Sequence, residues 1–166
     1  MTPAQTITES NTAMYVVTVA YTLEIHNLLT RFFAAFDEKK WSAVRACLGD
    51  DVFADYSAFC DTLPRAMPAA EYIEERRLVV DWLDTQHNFQ NLRVSVDEIE
   101  GTATARCNYV IRRFHPGPEG NQYFHSYGYY YFDFLSLHGE WKIARIKQHL
   151  LRNEGGRDIH PSVWCA

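Results

Sequence analysis

The chain is short of several things, and each shortage removes a class of function. No apolar run comes near the ~20 residues that a bilayer-spanning helix needs. Lysine and arginine are scattered and outnumbered, 16 against 21 acidic residues, leaving a net charge of -5 and no basic patch for nucleic acid. Four cysteines, Cys47, Cys60, Cys107 and Cys165, fall in no CxxC or zinc spacing and read as free thiols. No histidine or carboxylate pair has a local ligand spacing such as HExxH, so no metal is expected. A charged n-region of a signal peptide is missing, because Arg31 is the first lysine or arginine, and a cytoplasmic protein is expected. Internal repeats and low-complexity blocks are absent as well.

What is present is apolar and aromatic mass. The 166 residues are 47% hydrophobic and 14% aromatic, enough for one domain with a sizeable core. Residues 1–12 read as a loose terminus, residues 20–151 as the core and residues 152–166 as a tail on the surface. Ala13 to Tyr21 does not separate helix from strand. From Leu23 the pattern clears: Ile25, Leu28, Leu29, Phe32, Phe33 and Phe36 form one helical face that leads to Asp37. A short helix follows from Trp41 to Leu48, stopped at Gly49. A strand from Asp50 to Tyr56 comes next, then a loop from Phe59 to Met67.

Pro68 opens a helix that runs to about Leu83. Tyr72, Ile73, Arg76, Val79, Val80 and Leu83 lie near its buried side, and Arg76 and Arg77 read as surface charges rather than ligands. Thr85-Gln86-His87 stands at the junction to a β-rich half. There Ala103–Phe114, Gln122–Leu137 and Trp141–Leu151 read as long strands, with turns at Gly101 and His138-Gly139. Helices first and antiparallel strands after argue for an α+β fold: a curved antiparallel sheet with about three helices on one face, a cone that encloses a cavity.

Three polar groups stand where such a cavity would collect them. His87 titrates near neutrality and Asp37 would orient and stabilise its charged form. Such a pair can take a proton from a carbon beside a carbonyl and return it to a leaving hydroxyl. Tyr56 would donate to the oxygen that gathers charge, while Asp55 should face the other way. The alternatives are a histidine capping a helix end or bonded in the core, and a core tyrosine. The stretch from Tyr123 to Phe134 holds eight aromatics in twelve positions, either a pocket floor for a ring-bearing ligand or a strand packed on both faces. Asn108, His125, Tyr127, Tyr130, Phe36 and Phe53 are the candidate ligand-lining residues.

Several segments together resemble a known family. They are Phe36-Asp37-Glu38-Lys39-Lys40-Trp41, Asp55-Tyr56-Ser57-Ala58-Phe59, Ala66 to Tyr72, Thr85-Gln86-His87 and Gly139-Glu140-Trp141-Lys142. Across roughly Leu23 to Leu150 the chain resembles the SnoaL-like branch of the nuclear transport factor 2-like superfamily, in particular the scytalone and bile-acid dehydratases. The resemblance implies catalytic roles for Asp37, His87 and Tyr56, chemistry without cofactor or metal, and a homodimer or trimer built on the outer sheet face. It also marks departures. Phe36 stands where the scytalone enzyme has a tyrosine, Tyr130 where it has an asparagine, and its second histidine has a counterpart only at His115 or near Asn108. The expected function is a dehydratase-like lyase or an isomerase acting on a small cyclic carbonyl or aromatic compound. A non-catalytic ligand-binding or assembly module and a polyketide cyclase-like enzyme are the alternatives.

Overall fold

The computed structural model describes residues 3–58, 63–115 and 122–156, with side chains from residue 19 onward. Three helices and six strands follow one another as α1 (Pro3–Asp37), α2 (Trp41–Cys47), β1 (Leu48–Asp55), β2 (Arg65–Pro68), α3 (Ala69–Val80), β3 (Asp84–Asp97), β4 (Thr102–Phe114), β5 (Phe124–Leu137) and β6 (Glu140–Gly155). The strands form one curved, unclosed sheet in the order β2-β1-β6-β5-β4-β3. The α+β cone expected from the sequence is the fold observed.

Helix α1 takes in Ala13–Tyr21 and begins at Pro3, within the stretch read as a loose terminus. Its face of Ile25, Leu28, Leu29, Phe32, Phe33 and Phe36 is buried against the sheet. The helix ends in a Schellman motif: the Lys40 amide donates to the Ala35 carbonyl at 2.8 Å and the Lys39 amide to Phe36 at 3.2 Å. Lys39 takes the left-handed turn, φ 57°, which usually falls to glycine. That stop holds Asp37 on the last helical turn, pointing towards β3.

Four readings of local structure are corrected. The loop from Phe59 to Met67 contains β2, a four-residue edge strand paired antiparallel with β1. Helix α3 is shorter than Pro68–Leu83, with Pro68 as its N-terminal cap residue. Thr85-Gln86-His87 is not a junction but the start of β3, already in register with β4 from Asp84↔Phe114. The sheet is not wholly antiparallel either, because β1 lies parallel to β6.

Bulges bend the sheet around α1. In β3 the register shifts between Gln90 and Arg93, and Asn91 takes φ 54°. The shift moves the inward positions from Thr85, His87 and Phe89 to Leu92, Val94 and Val96. β5 and β6 slip twice against each other, at Tyr127/Gly128 and Asp133/Phe134. The core lies between this inner sheet face and the three helices. Cys47 and Cys107 are free and buried in it, whereas Cys60 and Cys165 lie outside the described residues. Among the described residues no helix is long and apolar enough to cross a membrane.

Candidate functional site

Asp37 arrives from the end of α1 and His87 from the second inward position of β3. Asp37 Oδ1 lies 2.5 Å from His87 Nδ1, and Asp37 Oδ2 accepts the His87 backbone N–H at 2.7 Å. Thr85 Oγ1 donates to Asp37 Oδ1 at 3.0 Å, and Lys39 Nζ donates to Thr85 Oγ1 at 2.9 Å. A carboxylate only accepts, so an ionised Asp37 fixes the imidazole with its proton on Nδ1 and leaves Nε2 as the basic nitrogen. The His87 side chain is only 9% exposed and that of Asp37 21%. Phe33 stacks on the imidazole at 5.5 Å and Phe36 meets it edge-on at 5.4 Å.

Burial is the main influence on His87 and pulls its pKa below the ordinary 6.5; Asp37 pulls the other way, and Arg113 and Lys39 add to the lowering. The ring is therefore neutral at pH 7, the state a general base requires.

His87 lines a cavity with Phe32, Phe33, Phe36, Tyr56, Tyr72 and Arg76, closed on the sheet side by Arg113, Tyr130 and Ile146. Its volume is about 20 Å³, room for the centres of about one or two waters. The Tyr56 hydroxyl meets the Tyr72 hydroxyl at 2.8 Å, and the Arg76 guanidinium covers the Tyr56 ring at 4.5 Å and the Tyr72 ring at 5.6 Å. Burial raises the pKa of both phenols, so both remain protonated donors. Arg113 is 2% exposed and donates from Nη1 to Ser126 Oγ at 2.9 Å. Burial brings its pKa down to about 10, which leaves it charged at neutral pH.

Of the sequence candidates, the fold brings Asp37, His87, Tyr56, Phe36 and Tyr130 together. It does not bring in the other four. Asn108 sits on the outward side of β4, alternate to buried Cys107 and Tyr109. His125 and Tyr127 are outward on β5, alternate to buried Ser126. There His125 contacts the rings of Phe114 and Tyr123, and the Tyr127 hydroxyl donates to Glu154 at 3.0 Å. Phe53 is outward on β1 beneath the Arg145 guanidinium. Asp55 does face away from Tyr56, bound to Lys147 at 2.9 Å and Ser57 at 2.7 Å. His115 packs on Trp82 at 5.2 Å and is not among the cavity residues.

Arg76 corrects the surface reading: it is buried and lines the cavity, and only Arg77 is exposed. Tyr72 and Arg113 were not singled out. The signal for both was spacing: Tyr72, Arg76 and Val80 lie four apart on one helical face, and Arg113 continues the inward series Cys107, Tyr109, Ile111. Among the described residues no group of histidine, cysteine and carboxylate side chains is disposed to hold a metal ion.

The comparisons agree with the fold. The SnoaL-like domain profile matches residues 17–147. Scytalone dehydratase from Colletotrichum orbiculare is 27% identical over 143 residues, which cover 80% of this chain and 74% of that protein. Among solved structures, the Kfla4162 protein from Kribbella flavida superposes with a TM-score of 0.74 at 19% identity, over 80% of this chain and 91% of that one. Hexachlorocyclohexane dehydrochlorinase LinA-type3 from Novosphingobium barchaimii gives 0.67 at 17%, over 87% and 95%. Likeness at these identities concerns the fold.

Proposed function

The chain belongs to the SnoaL-like domain family, and from that premise we propose that it is a lyase or isomerase for a small cyclic carbonyl compound, with loss of water as the favoured reaction. The observation that carries this reading is the 2.5 Å contact of Asp37 with His87 Nδ1 at the wall of an aromatic cavity. Two proteins similar to the chain are named for eliminations, a dehydratase and a dehydrochlorinase.

In the proposed reaction His87 Nε2 takes the proton from the carbon beside the carbonyl. The C–H electron pair moves towards the carbonyl and builds an enolate, then collapses to a carbon–carbon double bond as the C–O bond to the β-hydroxyl breaks. The imidazolium returns its proton to the departing hydroxyl, and water leaves. Asp37 holds the ring and offsets its transient charge. The paired hydroxyls of Tyr56 and Tyr72, protonated and set against Arg76, supply a hydrogen bond to the enolate oxygen. An isomerase would use the same first step and return the proton to carbon.

A second reading keeps one observation of its own. Phe32, Phe33, Phe36 and Tyr130 fill most of the space in front of the dyad, so a ring-sized ligand enters only if side chains move. A module that binds a ligand without turning it over fits that packing. The deciding experiment follows ultraviolet absorbance of β-hydroxylated cyclic ketones, fused aromatic ones included, with wild type and His87→Ala. Loss of water by wild type alone supports the lyase; saturable binding with no turnover supports the module. We also propose a cytoplasmic homodimer or trimer assembled through the outer sheet face, where Tyr131, Leu135 and Leu137 are exposed. A ~19 kDa monomer by light scattering at micromolar concentration would contradict the assembly.

A further inference from the structure

The sheet wall of the cavity carries more polar groups than proton transfer at His87 uses. Arg113 lines the cavity from β4. Beside it stand Tyr109, 3% exposed, and Gln148, 1% exposed. The Tyr109 hydroxyl and both ends of the Gln148 amide are buried without a hydrogen-bond partner. Gln148 and Ser126 stand near enough to the Tyr109 hydroxyl to act on it as weak hydrogen-bond neighbours, short of good hydrogen-bond geometry, and Arg113 acts on it electrostatically.

These groups lie directly behind Tyr130. Gln148 is its register partner on β6, and the rings of Tyr109 and Tyr130 are 4.7 Å apart. Gly128 makes room for them, since a Cβ there would stand 2.8 Å from the Tyr109 hydroxyl oxygen. A buried polar atom left unmet costs free energy, so a cluster of them inside an aromatic core calls for a ligand or water that meets them.

We propose that Arg113, Tyr109 and Gln148 form a carboxylate-binding subsite, and hence that the substrate is a cyclic compound bearing a carboxylate. The inference deepens the lyase reading and rests on it for the place of the chemistry, but binding alone tests it. The donors match the ligand: a guanidinium fork, a phenol O–H and an amide N–H all point to an acceptor-only group. A neutral carbonyl would use the same donors but would gain less from a charged guanidinium than a carboxylate does. Arg76, a second guanidinium on the same cavity, is paired with Glu75 at 3.4 Å and adds a weaker bias towards anions. Gln148 Oε1 then accepts from water or from a hydroxyl next to the carboxylate. Tyr130 must turn aside to open the way, a side-chain change of the kind that accompanies ligand binding in many sites.

Benzoate and benzamide are the probes, equal in shape and different in charge, followed by calorimetry and by thermal shift. Wild type should bind benzoate at least roughly tenfold more tightly than benzamide, the scale of a charge-assisted bond. Arg113→Gln should abolish the preference, and Gln148→Leu should weaken benzoate several-fold. Should Arg113→Gln fail to fold by circular dichroism, Arg113→Lys takes its place and should keep only part of the preference. Binding and turnover separate the two readings: a wild type that prefers benzoate yet dehydrates no ketone keeps the subsite and loses the lyase. Equal affinity for the two probes, no saturable benzoate binding, or a preference untouched in both the position-113 variant and Gln148→Leu would each overturn the proposal.

Discussion

The two faces of β4 and β5 differ in what a polar residue means. Inward, Tyr109, Arg113 and Ser126 sit among aromatic and aliphatic side chains, where each polar atom must find a partner or stand at a cost. Outward, Arg106, Asn108, His125 and Tyr127 are half-buried at most. Arg106 covers the ring of Tyr129 at 4.4 Å, and Tyr129 stacks on His149 at 4.5 Å. The residue types are alike on the two sides. Strand parity alone decides whether a histidine or an asparagine is a candidate for chemistry or part of a solvated or assembling surface.

The largest expected effect separates the faces by turnover. His87→Ala should lower turnover of the dehydrated ketone by roughly 10²–10⁴-fold. Asp37→Asn should lower it too, and the double variant little further, because the pair acts as a unit. Tyr56→Phe should cost less, since Tyr72 keeps a hydroxyl at the same place. Circular dichroism checks that all are folded.

Stability separates the faces next. In Gly128→Ala the new Cβ would lie 1.9 Å from the His149 carbonyl oxygen, so strand or partner must shift. A loss of about 1–3 kcal/mol or more is expected by urea unfolding. Gly156→Ala, with nothing within 4 Å of its Cβ, should change stability by less than ~0.5 kcal/mol.

The third effect is on pH dependence. The pKa of His87 is lowered in the folded chain, so above pH 6.5 it affects stability little. As pH falls below 6.5 the unfolded chain takes up a proton that the folded site refuses, and this contribution to stability falls until the folded site protonates as well. The urea midpoint of wild type should therefore drop more between pH 7 and 5 than that of a folded His87→Ala. Turnover should fall as pH drops, with its midpoint below the ordinary 6.5. The smallest effect is expected outside: Asn108→Ala and His125→Ala should leave turnover within about twofold and stability within ~0.5 kcal/mol. A large loss from either would break the distinction between the faces.

Much of the inner face was legible in the chain. The spacing of Ile25 to Phe36 set the buried side of α1 and led to Asp37. Other parts were hidden for identifiable reasons. Asp84 to Asn88 is polar and lacks alternating apolar residues, so its strand character comes only from pairing with β4. β2 is four residues that follow Pro64 and end on Pro68, and the parallel contact of β1 with β6 joins segments about ninety residues apart. Arg76 was misread because arginine is usually exposed, although its helical position already pointed inward. Asn108, His125, Tyr127 and Phe53 were chosen for residue type, and parity placed them outside.

The central claim is a neutral His87 held by Asp37 through Nδ1, with Nε2 free to take a proton. Nitrogen-15 NMR of the imidazole through a pH titration tests it without a substrate. The Nδ1–H tautomer is expected at pH 7, with a titration below the ordinary 6.5 and a weaker tautomer preference in Asp37→Asn. A proton on Nε2 at pH 7, or a titration at or above 6.5, would contradict it.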